Sequence, residues 1–346
     1  MRVALIVPAP FETISGGYGY DRHIVAGLRT ASHTVKVVEL PGTFPLADET
    51  TRNAACAAWD ALPDATPVID GLALPALQGM DDAIAARGTV GLIHHPTSLE
   101  TGFGDAERDR LRTVEQRLIS RMARVIVTSD ATAEQLISGF GIARDRIAVV
   151  MPGTDDAPRG VGSGSATCEI LSIGTLVPRK GHDLLLRALA RLFDLDWHLT
   201  IVGSPLRDPA HAQTLQALAQ ELRITRQVRF AGELTGDALE SLWQRADLFA
   251  LASQYEGYGM ATAEALKRGV PVAVTGVGIA PTLVTPQVGT LVQPGDRDTL
   301  SKSLRRVIFS AALRHDMAEA AWQAGRALPS WDAQARAFAA ALAMKD

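Results

Sequence analysis

Glu256 and Glu264 are separated by seven residues in a stretch built to hold an anion. The apolar run near 248–250 is expected as a strand, a loop follows over 253–259, and a helix is expected over 260–268. Gly269 stops that helix, and the next strand starts at Pro271. Gly257 and Gly259 remove side chains where the helix N-terminus exposes unpaired backbone N–H groups, a setting that suits a phosphate-type anion. Glu256 precedes the helix and Glu264 lies about one turn inside it. Together they could flank one elongated polar ligand and accept hydrogen bonds from two sets of hydroxyls.

Four further groups carry possible chemistry. Arg179 and Lys180 follow a strand-end turn at Gly174 and precede a helix expected near Asp183. Two cations on such a loop can neutralise a diphosphate as charge builds on a leaving group. Ser15-Gly16-Gly17-Tyr18-Gly19 reads as a loop between the first strand and its helix, and its glycines permit close backbone approach to a ligand. His94 and His95 end a buried strand, and because adjacent strand residues face opposite ways, one of the two is expected to enter a site. Gly203 and Gly232-Glu233-Leu234 close two more strand ends.

These residues need a frame. Strands are expected near 3–7, 35–39, 67–69, 90–93, 124–128 and 147–150, with helices at 20–30 and 108–122 between them. Residues 157–167 are rich in glycine and serine and read as a flexible connector. The alternation then restarts, with strands near 169–173, 198–202, 227–230, 248–250, 272–274 and 289–292. Such alternation implies α/β architecture with parallel sheets. The expected organisation is a first domain over 1–160 and a second over 161–328. The terminal helical segment 329–346 is expected to pack back on the first domain.

The segment from Glu256 to Glu264 resembles the E-x7-E region of retaining glycosyltransferases with the GT-B fold, specifically glycosyltransferase family four. The resemblance covers nearly the whole chain and is most specific between Gly232 and Leu291. It implies two Rossmann-like domains facing across a cleft, with the nucleotide-sugar donor held mainly by the second. It also implies that Glu256 and His94 (His95 as second choice) lie near the donor sugar and that Glu264 holds the ribose hydroxyls. Gly257, Tyr258, Gly259 and Met260 would supply backbone groups to the sugar and diphosphate, and Arg179 and Lys180 the positive charge. Gly16, Gly17, Gly174, Gly203 and Glu233 correspond to the family's donor-side turns. Two positions depart from the family pattern: Thr175 stands where many members have arginine, and Thr282 where a glutamate is usual.

Composition narrows the alternatives. The chain has 346 residues, 47% hydrophobic and 21% charged, with a formal net charge of −4, so no global charge draws it to nucleic acid. The two cysteines, Cys56 and Cys168, are far apart, which fits a reducing cytoplasm and implies no disulfide framework. Apolar runs are too short for a membrane span or a signal h-region, leaving at most a peripheral membrane contact. The eight histidines show no metal-ligand spacing, and no metal or cofactor is expected. The glycine runs from Gly17 and Gly276 fail the dinucleotide fingerprint, which counts against a nicotinamide dehydrogenase. The expected activity is retaining, metal-independent sugar transfer to an unidentified acceptor. A nucleotide-sugar epimerase and a non-catalytic nucleotide-sugar binder are the rival readings.

Overall fold

The computed structural model describes residues 1–100 and 102–344, so Thr101, Lys345 and Asp346 lie outside the described residues. Two compact units divide the chain. The first comprises Met1–Gly153 and the segment from Pro329 onward, and the second is Thr154–Leu328.

The first unit runs β1 (Arg2–Pro8), α1 (Gly16–Thr30), β2 (Thr34–Leu40), α2 (Glu49–Asp60), β3 (Thr66–Asp70), α3 (Asp81–Ala86), β4 (Val90–Ile93), α4 (Asp105–Ile119), β5 (Arg124–Val127), α5 (Asp130–Phe140) and β6 (Ile147–Val149). The second runs β7 (Cys168–Ile173), α6 (His182–Leu189), β8 (Trp197–Val202), α7 (Pro209–Glu221), β9 (Val228–Gly232), α8 (Gly236–Arg245), β10 (Leu248–Leu251), α9 (Met260–Lys267), β11 (Val272–Thr275), α10 (Ala280–Leu283), β12 (Gly289–Val292), α11 (Arg297–Phe309) and α12 (Ala311–Arg326). The last helix, α13 (Trp331–Ala343), belongs to the first unit.

Each unit is built on a six-stranded parallel sheet. The strand orders are β2-β1-β3-β4-β5-β6 and β12-β11-β10-β7-β8-β9. Helices on the faces of a parallel sheet bury its central strands on both sides, so those strands read as continuous apolar runs. Val3 to Val7 in β1 and Leu248 to Leu251 in β10 are buried throughout. The order of each sheet reverses once, between β1 and β3 and between β7 and β10. Loops at the carboxyl ends of the strands flanking such a reversal leave a crevice suited to a ligand.

Helix α13 packs on α1. The His23 and Trp331 rings stack at 4.2 Å, and a Cβ on Gly27 would stand only 2.4 Å from the Ala335 Cβ. Two expectations need correction. Residues 16 and 17 are not loop: α1 begins at Gly16, with the Ser15 hydroxyl capping it by accepting from the Tyr18 N–H. Nor is 157–167 a free connector. The Gly160 N–H donates to the Arg268 carbonyl, and those of Val161 and Gly162 to the Gln244 carbonyl. The Asp247 carboxylate accepts from the Ser163 N–H and hydroxyl and from the Glu169 N–H. The units part at Gly153/Thr154, and the glycine-rich stretch is pinned along the second unit.

Candidate functional site

The reversal between β7 and β10 places two loops side by side in the second unit. The Gln254 N–H donates to the Arg179 carbonyl at 2.8 Å, and the Arg179 guanidinium donates to the Tyr255 carbonyl at 3.0 Å. This zipper carries Lys180 onto Glu256: the Lys180 Nζ lies 2.6 Å from Glu256 Oε1, and Arg179 Nη1 lies 3.5 Å from Oε2. The Glu256 side chain is only 11% exposed. Burial works to raise its pKa, but Lys180, Arg179 and the Ser253 hydroxyl bonded at 2.7 Å outweigh it and hold the carboxyl below its ordinary value. The three side chains form one compact group with a net positive charge.

Glycines make this closeness possible. A Cβ on Gly174 would meet the Lys180 stem at 3.1 to 3.3 Å, so the bare turn gives the lysine a bed. Gly203 fits directly over it, because a Cβ there would stand 1.9 Å from the Gly174 carbonyl oxygen. The Gly203 N–H donates to the Gly232 carbonyl, which ties the ends of β8 and β9 together. Glu233, one residue on, is exposed.

Helix α9 starts at Met260 with Gly259 in the left-handed region at φ 103°. Among the described residues, the backbone N–H groups of Met260 and Ala261 have no hydrogen-bond partner. They are the free donors expected at a helix N-terminus, beside the Lys180–Glu256 group. Tyr258 contributes differently: its side chain is buried, with the phenol pushed up to about 12 by that burial, and its carbonyl accepts from the Ile279 N–H at 2.7 Å. Gly257 joins the same loop.

Glu264 stands apart from this group. Its charged neighbours are Arg268, Asp155 and Glu240, and among the described residues its carboxylate makes no hydrogen bond. Burial raises its pKa above the ordinary value, with Arg268 opposing. A part-buried carboxylate without donors is set up to receive them from a ligand.

In the first unit, His94 follows β4 with its Nε2 3.0 Å from Asp21 Oδ1 and 3.3 Å from Asp70 Oδ2. Its ring packs beside Gly17, where a Cβ would stand 3.3 Å from Cδ2. Gly16 forms the first turn of α1 with it. His95 instead pairs with Glu100 at 2.6 Å. Asp21, Asp70 and His94 place ligand-type atoms within 4.8 Å of one another, so their residue types would suit a cation as well as the hydrogen bonds seen.

Several contributors were not singled out from sequence. Ser253 anchors Glu256, and its carbonyl accepts from the Thr275 hydroxyl. Gly278, at φ 58°, lies so close that a Cβ would meet the Tyr258 carbonyl oxygen at 2.2 Å and the Glu256 Cβ at 3.0 Å. Buried His182 donates from Nε2 to the Gly174 carbonyl, and burial depresses its pKa to about 4, so it is a neutral prop for that turn. Asp194 pairs with Arg305 and Asp296 caps α11, so both carboxylates hold local structure.

Family models match two consecutive stretches. "Glycosyltransferase Family 4" covers residues 65–157 and "Glycosyl transferases group 1" residues 158–324. The chain belongs to glycosyltransferase family four. Among family relatives, a D-inositol 3-phosphate glycosyltransferase of Mycolicibacterium smegmatis is 36% identical over 260 residues, 68% of this chain and 59% of the relative. One from Salinispora tropica is 32% identical over 280 residues, covering 71% and 57%. The chain thus spans less than two thirds of the length of these curated relatives. Sucrose-phosphate synthase of Thermosynechococcus elongatus superposes with a TM-score of 0.84 at 19% identity, covering 98% of this chain and 97% of the other. Anabaena Alr3699/HepE in complex with UDP and glucose gives 0.81 at 19% identity, covering 99% of each. These likenesses identify the GT-B fold. No described helix is long and apolar enough to cross a membrane.

Proposed function

We propose that this family member transfers a sugar from a nucleoside diphosphate sugar to an acceptor hydroxyl, with retention at the anomeric carbon and without a metal ion. The observation that carries the reading is the joint presence of Lys180, Arg179 and two free N–H groups at the start of α9 around Glu256. In the structure Glu256 is the counter-ion of the two cations. With donor bound, the diphosphate takes up their charge and the α9 N–H groups, and Glu256 accepts from sugar hydroxyls. Glu264 accepts from the ribose hydroxyls, and His94 donates to the sugar. As the anomeric C–O bond breaks, its electron pair leaves with the diphosphate. The acceptor oxygen bonds to the same face, and its proton passes to the departing phosphate oxygen. Cations and backbone dipoles fixed in advance stabilise the growing charge, the task a divalent ion serves elsewhere.

A thermal-shift screen of UDP, GDP, ADP and dTDP sugars identifies the donor, since a ligand that binds only the folded state raises its melting point. The UDP and glucose held by the Anabaena protein make UDP-glucose the first to try. With that donor, Glu264→Gln should weaken calorimetric affinity roughly 100-fold, the loss of two charge-assisted hydrogen bonds. Its melting temperature should hold or rise, because the substitution removes a carboxylate whose raised pKa marks it as costly to bury. Unchanged donor affinity would reject the ribose role. Turnover should survive EDTA and give a product with the donor's anomeric configuration by NMR.

A further inference from the structure

We propose that Asp21 and Asp70 are positioning residues that keep His94 permanently protonated, so that its Nδ1–H serves substrate as a fixed cationic donor and His94 never acts as a base. The inference rests on the role given above to His94 and concerns what sets its charge.

The geometry is one-sided. Both carboxylates address the same nitrogen: Nε2 lies 3.0 Å from Asp21 and 3.3 Å from Asp70, while among the described residues Nδ1 makes no hydrogen bond. Each carboxylate is itself fixed. Asp70 ends β3, and its other oxygen accepts from the Leu72 N–H at 2.7 Å, capping the short 3-10 helix Gly71–Leu77. Asp21 is 1% exposed on α1, and its Oδ2 is buried without a partner among the described residues. Two ionised carboxylates beside a neutral ring would leave two uncompensated buried charges, and an imidazolium halves that deficit. Burial opposes the charge on His94, but Asp21 and then Asp70 overcome it, raising the imidazole to about 10.

Among the described residues, no other group facing the ring competes for the proton. Tyr20 meets it edge to face at 5.2 Å, with its hydroxyl donating to the Val150 carbonyl. The Thr128 and Thr132 hydroxyls donate to the His94 backbone carbonyl. Arg22 acts on Asp21 from the next position of α1, its guanidinium held by the Phe11 and Thr13 carbonyls. His95 is engaged with Glu100. Gly17 leaves room for the ring, since a Cβ there would stand 3.3 Å from Cδ2. With Nε2–H bound inward, an imidazolium has one remaining donor, Nδ1–H, suited to a sugar hydroxyl or ring oxygen.

The test combines ring spectroscopy with turnover. In 15N-labelled protein, with His94 assigned by difference from His94→Gln, both ring nitrogens should show the matched shifts of an imidazolium up to at least pH 8. Asp21→Asn keeps the shape and removes the charge, so His94 should lose at least a hundred-fold in proton affinity and titrate near neutrality. Asp70→Asn should shift it in the same direction. In parallel, the basic limb of kcat/KM, flat from pH 7 to 9 in the parent, should acquire a fall between pH 6 and 8 in Asp21→Asn. A neutral His94 at pH 7.5 in the parent would overturn the proposal, as would an unchanged titration in both variants. Displacement of the ring N–H by stoichiometric zinc would overturn it too, because the cluster would then be a metal site. If no sugar is transferred under any condition, the spectra still decide the charge state, which separates this failure from that of the proposed function.

Discussion

Lys180→Met is expected to lower kcat/KM roughly 10³-fold, about 4 kcal/mol, with most of the loss in kcat. Methionine keeps an unbranched stem over Gly174 and removes only the charge, so the turn should survive. The lysine is held 2.6 Å from Glu256 and is 16% exposed, so its charge is already in place when the leaving group develops. A cation whose attraction strengthens as negative charge builds stabilises the transition state more than the bound donor, and therefore acts on kcat more than on KM. The substitution also changes the acid side of the stability profile. In the parent, Glu256 has a folded pKa below its ordinary 4.5, so its stabilisation is present above that value and is lost as pH falls through the folded one. With Lys180 gone, the largest attraction opposing burial is lost and that contribution shrinks. Calorimetric melting of parent and variant should therefore differ more at pH 7 than at pH 4. Turnover within ten-fold of the parent would show that Lys180 does not face the leaving group.

The central strands are readable because full burial on both sheet faces writes them as short apolar runs, as in Val90–Ile93 and Leu248–Leu251. Chain punctuation was harder. Gly16 and Gly17 suggest a loop by intrinsic propensity, yet Ser15 supplies a cap and α13 packs on the resulting helix, so local preference yields to tertiary contact. The stretch around Ser163 has a linker's composition, but its anchor, Asp247, is remote in sequence and gives no local signal.

The candidate site divides in the same way. Each member of the Lys180–Glu256 pair was visible in its own loop. Their contact depends on β7 and β10 being neighbours, which residue types alone do not specify. Gly278 gives little local signal: it lies three residues past the end of β11, and only the fold shows how closely it approaches Tyr258 and Glu256. Asp70 carried a weaker hint, an acid ending an apolar strand and followed by glycine. Asp21 carried none, because a charge on an amphipathic helix ordinarily faces water.

Glu256→Gln should move two measurements in opposite directions: sugar transfer falls roughly 10³-fold, while the free nucleoside diphosphate binds about ten-fold tighter. The carboxylate and an incoming diphosphate compete for the same two cations, Lys180 and Arg179. At 4 Å and an effective dielectric near 20 such an attraction is of order 4 kcal/mol before desolvation, so relief of even part of it covers the ~1.4 kcal/mol of a ten-fold gain. Glutamine retains the shape and can still accept from Ser253, so the loop should stay in place. The intact donor should not share the gain, because the lost carboxylate is also the acceptor for its sugar hydroxyls. Calorimetry with the nucleoside diphosphate and with its sugar, side by side, separates the two terms. Parallel weakening of both ligands would make Glu256 a prop for its loop. Tighter diphosphate with lost transfer requires a carboxylate that shields the cations at rest and turns to the sugar when the diphosphate displaces it.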